Sequence, residues 1–592
     1  MKKATVILIG LGLLVVIFGQ AYLFWQTEPE VAPVASNTTL RNTESGTVVG
    51  FIDKLGARSW QGIPFAQAPV GDLRWRAPQP PIPSEATIEA LRPGALCPQF
   101  ASLLSGAGEQ APAGQVTGTE DCLYLNVWSP PNATDLPVML WIHGGGNTIG
   151  HGGSYNGAVL AAQRDVVIVT INYRLGVFGW FSHPDLLTGD ARDDSGNYGT
   201  LDVIRALEWV RDNIDVFGGD PNNVTVFGES AGALNTLAMM ASPLAKGLFH
   251  RAIVQSGGFS PTSLSRAQNY REDGGDASSS REIVAKMLIQ DGLAENRESA
   301  KKLAQNMRMT ELRDYLYAKT PAEFFAQLSN GGFGMISLPD NFGDGHVLPD
   351  LTTEEIFSDP DKHSRVPVIL GSNRDEPSLF MVRAPQYVEN WLGFLPRLKD
   401  KAAYQRTVYY GAQTWKYFGV DSLANYMRDS GNEHVYAYRF DWDEEPSQLG
   451  FDLSVALGAA HGLEIAFAFN DFDGRLGVDY IYPGNPGQYS LAASMSSYWT
   501  QFAYTGDPST GRDGKETSWL SWGTDDKRSL ILDTPTDQGI FMDDEEVVLE
   551  RLRQELVNDP NIKDPKERCA LYRSTLRDST DNAEANSLCK ES

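Results

Sequence analysis

The hydrophobic positions of this chain fall into short, nearly continuous apolar runs. These runs are rich in β-branched residues and occupy residues 136–146, 165–176, 223–232, 250–258, 365–376 and 433–442. Continuous rather than alternating hydrophobicity is typical of strands that are covered on both faces of a sheet. The runs therefore predict six strands of a mostly parallel central sheet.

Between these runs lie segments with helical periodicity. In residues 198–214, apolar side chains recur at steps of three and four, at Leu201, Ile204, Leu207 and Val210, as in a helix with one apolar face. Strands that alternate with such helices predict an α/β fold in which helices cover both faces of a large sheet. The ligand site of such a fold is expected at the carboxyl ends of the strands.

The first 26 residues differ from the rest of the chain. Lys2 and Lys3 precede an uncharged apolar stretch at 4–25, which as a helix of about 33 Å is long enough to cross the hydrocarbon layer. A cleaved signal peptide with its cleavage site at 19–21 is the alternative, but the apolar run continues past that site and favours an uncleaved anchor. Either way the sequence predicts an exported protein, periplasmic or extracellular, and the uncleaved form would associate with the membrane through this segment only.

The rest of the chain predicts one large domain. No internal repeat and no linker rich in Gly, Ser or Pro interrupts the middle of the 592 residues, so long insertions within one fold are favoured over several small domains. Composition suggests an anchor or signal peptide at 1–26, a polar tether outside the fold at 27–45, the α/β domain at 46–545 and an acidic C-terminal extension at 546–592.

The charge of the chain excludes one class of partner. The sequence has 75 Asp and Glu against 49 Lys and Arg, a net charge of −26, and no basic patch offsets repulsion from phosphates. We therefore expect no nucleic-acid partner. The four cysteines form no Cys-x-x-Cys motif and no histidine pair lies near them, so no metal site is expected.

The cysteines fit an exported protein instead. In an oxidising compartment, the local disulfides Cys97–Cys122 and Cys569–Cys589 are the simplest of the three pairings that four cysteines allow. The second pair would lie within the C-terminal extension.

One serine stands where a strand changes into a helix. Gly228-Glu229-Ser230-Ala231-Gly232 is the only Gly-x-Ser-x-Gly in the chain, and it follows a predicted strand and precedes an Ala- and Leu-rich segment. A sharp turn in this context presents the serine hydroxyl at the edge of the sheet, and the glycines leave room for close backbone packing. The motif predicts Ser230 as a nucleophile.

A glycine-rich loop, His143-Gly144-Gly145-Gly146, comes directly after another predicted strand. Consecutive glycines can turn their N–H groups toward a developing oxyanion, which side chains would obstruct. The N–H of Ala231, next to the serine, would complete such a site.

An activated serine needs a general base, and the base needs an acid that orients it. Of the five histidines after Ser230, three precede strands and so lie at the wrong end of the sheet. His461, between small residues and an apolar segment, is the best placed, and His346, in a loop, stays open. The acid should follow a strand, where the sequence offers Asp375 and Glu376. Spacing alone does not choose between them.

A series of motifs runs through the chain: EDCLYLNVW at 120–128, HGGG at 143–146, NYRLGVFGW at 172–180, GNYGTLDVIRALEWVRDNI at 196–214, VTVFGESAG, AIVQSGG, GSNRDE and AAHGLEIAFAF. In this order, over roughly residues 40–545, they resemble the type-B carboxylesterases of the carboxylesterase/cholinesterase family. The resemblance implies an α/β-hydrolase fold with long insertions. It also implies a serine carboxylesterase that hydrolyses small-molecule esters through an acyl-enzyme intermediate, with no cofactor.

The resemblance also assigns residues. Carried over position by position, the catalytic triad falls on Ser230, Glu376 and His461, and the oxyanion donors fall on Gly145, Gly146 and Ala231.

Further assignments surround these. Ser256 matches a family serine that hydrogen-bonds the triad acid, and Glu229 and Glu464 match buried acids near the histidine. The first disulfide of the family maps onto Cys97–Cys122.

Two departures from the family pattern bear on the substrate. Asn147 stands where an aromatic residue is usual, which predicts a more polar pocket wall, and the loop from Cys97 to Cys122 has no tryptophan. A choline site built on cation–π contact is therefore not supported, and a general esterase is favoured. The alternatives are a lipase or a hydrolase of amide or polyester bonds, because the motif does not select the leaving group. A non-catalytic adhesion or binding ectodomain is disfavoured by the complete triad.

Overall fold

The computed structural model describes residues 32–107, 111–391, 395–448, 451–472, 479–575 and 589. The predicted anchor or signal peptide at 1–26 lies outside these residues. Within the described ranges, no helix is both long enough and apolar enough to cross a membrane.

Much of the predicted tether is part of the fold. Arg41–Thr43 forms a strand that pairs antiparallel with Gly46–Val49, and the latter pairs parallel with Ser84–Glu89. Thr39 is fully buried, and its carbonyl accepts a hydrogen bond of 2.7 Å from Trp60 Nε1. The predicted boundary at residue 45 is therefore wrong, because this polar stretch is held by backbone pairing, which composition does not reveal.

The central sheet has eleven strands among the described residues. They are β1 Phe51–Ile52, β2 Arg58–Pro64, β3 Tyr124–Ser129, β4 Leu136–Ile142, β5 Val167–Ile171, β6 Gly219–Glu229, β7 Arg251–Gln255, β8 Val368–Asn373, β9 Val435–Phe440, β10 Ser529–Leu532 and β11 Phe541–Asp543.

The strand order across the sheet is β11-β10-β9-β8-β7-β6-β4-β5-β3-β2-β1. Strands β4 to β10 run parallel to one another, and antiparallel pairing is confined to β1, β2 and β3 at one edge and β11 at the other. The mostly parallel sheet is confirmed, and the six predicted strands are β4 to β9. The sequence pattern did not predict the edge strands.

The α-helices of the described residues are α1 Ala158–Arg164, α2 Gly176–Gly179, α3 Tyr198–Asn213, α4 Ala231–Ala241, α5 Leu264–Gln268, α6 Ser280–Gln290, α7 Arg297–Asn306, α8 Met309–Tyr317, α9 Pro321–Phe325, α10 Thr353–Phe357, α11 Ser378–Met381, α12 Lys401–Lys416, α13 Ser422–Asp429, α14 Leu453–Ala456, α15 Glu464–Phe469, α16 Pro486–Thr505, α17 Leu549–Asn558 and α18 Pro565–Thr575. A π-helical turn, Tyr417–Asp421, joins α12 to α13.

Both faces of the sheet are covered. Along β4, Leu140 and Ile142 pack on one side with residues of α3, α4 and α13, whereas Met139 and Trp141 pack on the other with residues of α1, α15 and α16. Alternate side chains of a strand point to opposite faces. A strand buried on both faces is therefore apolar at most of its positions, which explains the nearly continuous apolar runs.

The predicted disulfides Cys97–Cys122 and Cys569–Cys589 are both present. The helices α17 and α18 of the C-terminal extension pack on α12 through an apolar cluster. The extension is therefore attached to the domain.

The strand register brings the two glycine-containing motifs together. In the pairing of β6 with β4, Gly228 lies opposite Ile142. Both strands are parallel, so the turn at Ser230 and the loop that begins at His143 leave the sheet side by side at its carboxyl edge.

A buried ion pair links α3 to the segment that follows β5. The Arg174 guanidinium donates to both carboxylate oxygens of Asp202, at 2.8 and 2.7 Å, and the Arg174 main-chain N–H donates to the same carboxylate at 2.9 Å. Both side chains are almost fully excluded from solvent.

We expect Asp202→Ala to be strongly destabilising, because it leaves the Arg174 guanidinium buried without its partner. The free energy of unfolding should fall by about 3–5 kcal/mol, measured by urea denaturation. Asp212→Ala on the same helix removes an exposed partner of Arg211, and should cost less than about 1 kcal/mol. Equal losses in the two variants would contradict the structural role of the buried pair.

Candidate active site

Ser230 lies in the turn between β6 and α4, with φ 57° and ψ −123°. A positive φ is rare for a residue with a side chain and has to be held by its surroundings. The Ser230 N–H donates to Gln255 O at 2.9 Å, and its carbonyl accepts from Leu234 N at 3.0 Å. A Cβ at Gly232 would lie 1.9 Å from the Ile142 carbonyl oxygen, so only glycine permits this turn.

The glycine-rich loop lies beside this turn. Gly145 has φ 101°, and a Cβ there would lie 2.3 Å from the Ile149 carbonyl oxygen. Within the described structure, the N–H groups of Gly145, Gly146 and Ala231 donate no hydrogen bond to the protein. Free N–H groups on a glycine loop and at a helix N-terminus are suited to hold a negatively charged oxygen.

His461 is in contact with Glu376. Nδ1 of His461 lies 2.6 Å from Oε2 of Glu376, and both side chains are buried. The other carboxylate oxygen, Oε1, accepts the Asn373 main-chain N–H at 2.8 Å. Asp375, the alternative acid, accepts a hydrogen bond from Arg374 Nε at 2.9 Å instead. The structure therefore brings Glu376, and not Asp375, to the histidine.

The alternative histidine is elsewhere. His346 is exposed, and its main-chain N–H donates to Asp344. Among the described histidines that follow Ser230 in the chain, His461 alone lines the cavity that contains the serine.

Ser230 and His461 share this cavity, but the described structure has no direct hydrogen bond between them. Nε2 of His461 lies 3.1 Å from Oε1 of Glu229 instead. Hydrogen bonds between a nucleophile and its base often tighten only when substrate is bound. Glu229 is therefore the direct neighbour of His461 Nε2 in this structure.

Three carboxyl groups are buried around the imidazole of His461. Burial raises the pKa of Glu229 to about 8 and that of Glu464 to about 7. Burial alone would lower the pKa of His461, but the Glu229 and Glu376 carboxylates outweigh it and raise that pKa to about 9. His461 and Glu229 therefore titrate as a pair that holds at least one proton at neutral pH.

The hydrogen bond that the resemblance assigned to Ser256 is absent. Ser256 Oγ is buried without a hydrogen-bond partner, and the residue has φ 55°. Asn373, rather than Ser256, hydrogen-bonds the triad acid. Its main-chain N–H donates to Glu376, and its Nδ2 donates to Glu464 Oε2 at 2.6 Å. Asn373 thus links the buried side chain of Glu464 to that of Glu376.

Two aromatic rings that the sequence analysis missed contact His461. The ring centroids of Trp415 and Phe380 lie 4.8 and 5.3 Å from that of the imidazole. Asn373 lies within the motif GSNRDE, which is a local signal for a residue next to the acid. Trp415 lies in an ordinary helical segment, and no local signal identifies it.

Asn147 does not form part of the pocket wall. Its Nδ2 donates to Asp340 Oδ2 at 2.7 Å, and its Oδ1 accepts from Asn235 Nδ2 at 2.8 Å. The side chain is 1% exposed. The predicted polar wall is therefore wrong at this position, because Asn147 adopts φ 56° and its side chain turns into a buried network behind the glycine loop.

Ser230, His461 and Gly145 border a cavity of about 860 Å³. Most of its other lining is apolar and includes Leu103, Met335, Leu379, Phe451 and Leu457. Among the described residues, no group of three or more His, Cys, Asp or Glu side chains is arranged to hold a metal ion.

Comparison with known proteins identifies the family of the chain. The Carboxylesterase family matches residues 37–410 and 396–548. The para-nitrobenzyl esterase of Bacillus subtilis (strain 168) is 34% identical over 519 residues, which cover 83% of this chain and 94% of that protein. The fumonisin B1 esterase of Sphingopyxis macrogoltabida is 34% identical over 507 residues, which cover 81% and 85%.

A solved structure is also similar. The carboxylesterase of Geobacillus stearothermophilus, determined at pH 6.2, superimposes with a TM-score of 0.65 and 29% sequence identity, covering 87% of this chain and 99% of that one. With the family matched along most of its length, the chain belongs to the carboxylesterase family, has the α/β-hydrolase fold and is a serine hydrolase of carboxylic esters.

Proposed function

We propose that Ser230 is the nucleophile, His461 the general base and Glu376 the acid that orients it. The observation that carries this assignment is the 2.6 Å contact between His461 Nδ1 and Glu376 Oε2, in the cavity that Ser230 borders. In this arrangement Glu376 fixes the ring and its tautomer, and leaves Nε2 to act on the serine.

The reaction then proceeds in two similar halves. Nε2 removes the Ser230 proton as the hydroxyl oxygen attacks the ester carbonyl, and the N–H groups of Gly145, Gly146 and Ala231 hold the resulting oxyanion. The imidazolium donates its proton to the leaving alcohol, which leaves an acyl-enzyme. Water, deprotonated by the same nitrogen, attacks the acyl-enzyme and releases the acid.

Glu229 acts on the proton balance of the base in this scheme. Its Oε1 lies 3.1 Å from Nε2, so when the shared proton resides on Glu229, the imidazole is neutral and can accept the serine proton. Glu464, which is hydrogen-bonded to Asn373, is a further buried carboxyl group near this pair.

The cavity supports a preference for small esters with an apolar acyl group. Its lining is mainly apolar, and matching apolar surface contributes about 25 cal/mol per Å² buried. A hydrolase of amide or polyester bonds, or a lipase, remains the second candidate, because the same residues could act on those bonds. Comparing a p-nitrophenyl ester with the matching p-nitroanilide separates the two.

We also propose that the chain is exported and held at the membrane by residues 4–25. Two disulfides support an oxidising compartment. Fractionation of cells that express the full chain, beside a chain that starts at residue 36, checks this: the full chain should sediment with membranes and the shortened one should not. Equal distribution of the two would favour signal-peptide cleavage.

Ser230→Ala should abolish ester hydrolysis. Without the nucleophile, kcat for p-nitrophenyl esters should fall by roughly 10⁴- to 10⁶-fold, measured across acyl lengths from two to twelve carbons. The exposed Ser265→Ala is the matched control and should keep the parent rate. Substantial activity in Ser230→Ala would contradict the assignment, and the chain-length optimum in the parent measures the depth of the acyl pocket.

Activity should fall as the pH is lowered, because protonated His461 cannot accept the serine proton. Carboxylates raise the pKa of His461, so the acid limb of kcat/KM should have its midpoint above the ordinary histidine value of about 6.5. Glu229→Gln removes the largest raising charge and should shift that midpoint to lower pH. A profile that stays flat down to pH 4 would exclude His461 as the base, and an unshifted midpoint in Glu229→Gln would exclude the role of Glu229.

A further inference from the structure

The C-terminal end of helix α12 contacts the active site. The Trp415 ring packs on His461, as described above, and Trp415 Nε1 donates to the Ser256 carbonyl at 3.1 Å. Phe380 also contacts the imidazole, and its ring stacks on that of Trp415 with the centroids 6.3 Å apart.

The π-helical turn Tyr417–Asp421 begins two residues after Trp415. Such turns accommodate one extra residue within a helix and are frequent at functional sites. A Cβ at Gly419 would lie 2.1 Å from the Gly257 carbonyl oxygen. The turn therefore lies backbone against backbone on the segment after β7, next to Ser256.

A buried ion pair spans this turn. Lys416 Nζ donates to both carboxylate oxygens of Asp421 at 2.7 Å, and the two side chains are 3% and 1% exposed. The C-terminal segment completes the set of contacts: the Val547 N–H donates to Asp421 Oδ2 at 2.7 Å, and Lys416 Nζ donates to the Glu545 carbonyl at 3.3 Å. Glu545 and Val547, where the C-terminal extension begins, therefore bind Lys416 and Asp421 at the two ends of the turn.

The helices α17 and α18 of the C-terminal extension also pack on α12. Tyr410 of α12 is buried in one cluster with Leu552, Leu556 and Leu571. The Tyr410 hydroxyl donates to Asp559 Oδ2 at 3.0 Å. Both helices lie beyond residue 548, where the family match ends, so this contact involves a part of the chain that the family match does not cover.

We propose that the C-terminal extension is a clamp on α12 that positions Trp415 against His461. Trp415 is then a positioning residue for the base, and the extension is required for full turnover. The proposal rests on the proposed role of His461. Small displacements of a catalytic group lower the rate strongly, by about 10²-fold for 1 Å.

The test is a double-mutant cycle in the full chain. Trp415→Leu removes the ring from His461 and should lower kcat by roughly 10- to 100-fold with KM changed by less than about threefold. Trp415→Phe keeps a ring at this position but loses the hydrogen bond to Ser256, and should recover most of kcat. A change confined to KM, or no recovery in Trp415→Phe, would overturn the positioning role.

Leu556→Ala loosens the clamp without touching the site. It should lower kcat in the parent but have no further effect in the Trp415→Leu background. The effects of two substitutions add when the positions are independent, and they do not add when one acts through the other. Leu312→Ala, a similarly buried leucine in α8, is the matched control and should leave kcat unchanged. Additive effects of Leu556→Ala and Trp415→Leu, or an equal loss in Leu312→Ala, would overturn the clamp.

Tyr410→Phe keeps the buried ring and removes only the hydrogen bond to Asp559, so it replaces Leu556→Ala in the same cycle if that variant does not fold. Failure of the clamp differs from failure of the proposed function. In the first case Ser230→Ala is inactive while Leu556→Ala and Tyr410→Phe keep full kcat; in the second, Ser230→Ala itself retains activity.

Discussion

The structure depends on close backbone packing at the carboxyl edge of the sheet, where β4 and β6 end side by side. The turn that carries Ser230 passes so close to the end of β4 that a side chain at Gly232 would overlap the Ile142 carbonyl. This crowding aligns the nucleophile with the N–H groups of the adjacent glycine loop without any flexible side chain between them. The positive φ of Ser230 is maintained because the surrounding backbone hydrogen bonds over-determine it.

The ionisable groups next to this turn are also closely packed. A histidine and three glutamates share a buried space, and each glutamate has its own restraint: Glu376 holds Nδ1, Glu464 binds Asn373, and Glu229 lies beside Nε2. Isolated carboxylates would be costly to bury. Partial protonation and the contact with the imidazole offset this cost, and the same arrangement keeps a proton close to the reacting atoms.

The central strands and the serine motif could be predicted because their signals are local, whereas local spacing did not choose between Asp375 and Glu376 or exclude His346. Strands β4 to β9 each contain a short run of buried, mainly apolar residues, whereas β2 contains Arg, Gln, Gly and Pro and shows no such run. Ser230 lies in a five-residue motif. Trp415, Ser256 and Asn147 could not be assigned correctly in the same way, since their positions depend on packing between distant segments and on backbone conformations that one sequence does not reveal.

The early start of the fold limits where an anchored form could act. The Ser36 N–H already donates to Gly50, so about ten residues would separate a membrane segment ending at residue 25 from the domain. A fully extended chain of that length reaches only about 35 Å. In an uncleaved enzyme, Ser36 would therefore stay within about 35 Å of the bilayer, and the domain would meet amphiphilic esters adsorbed to the lipid surface at a higher concentration than in the surrounding water.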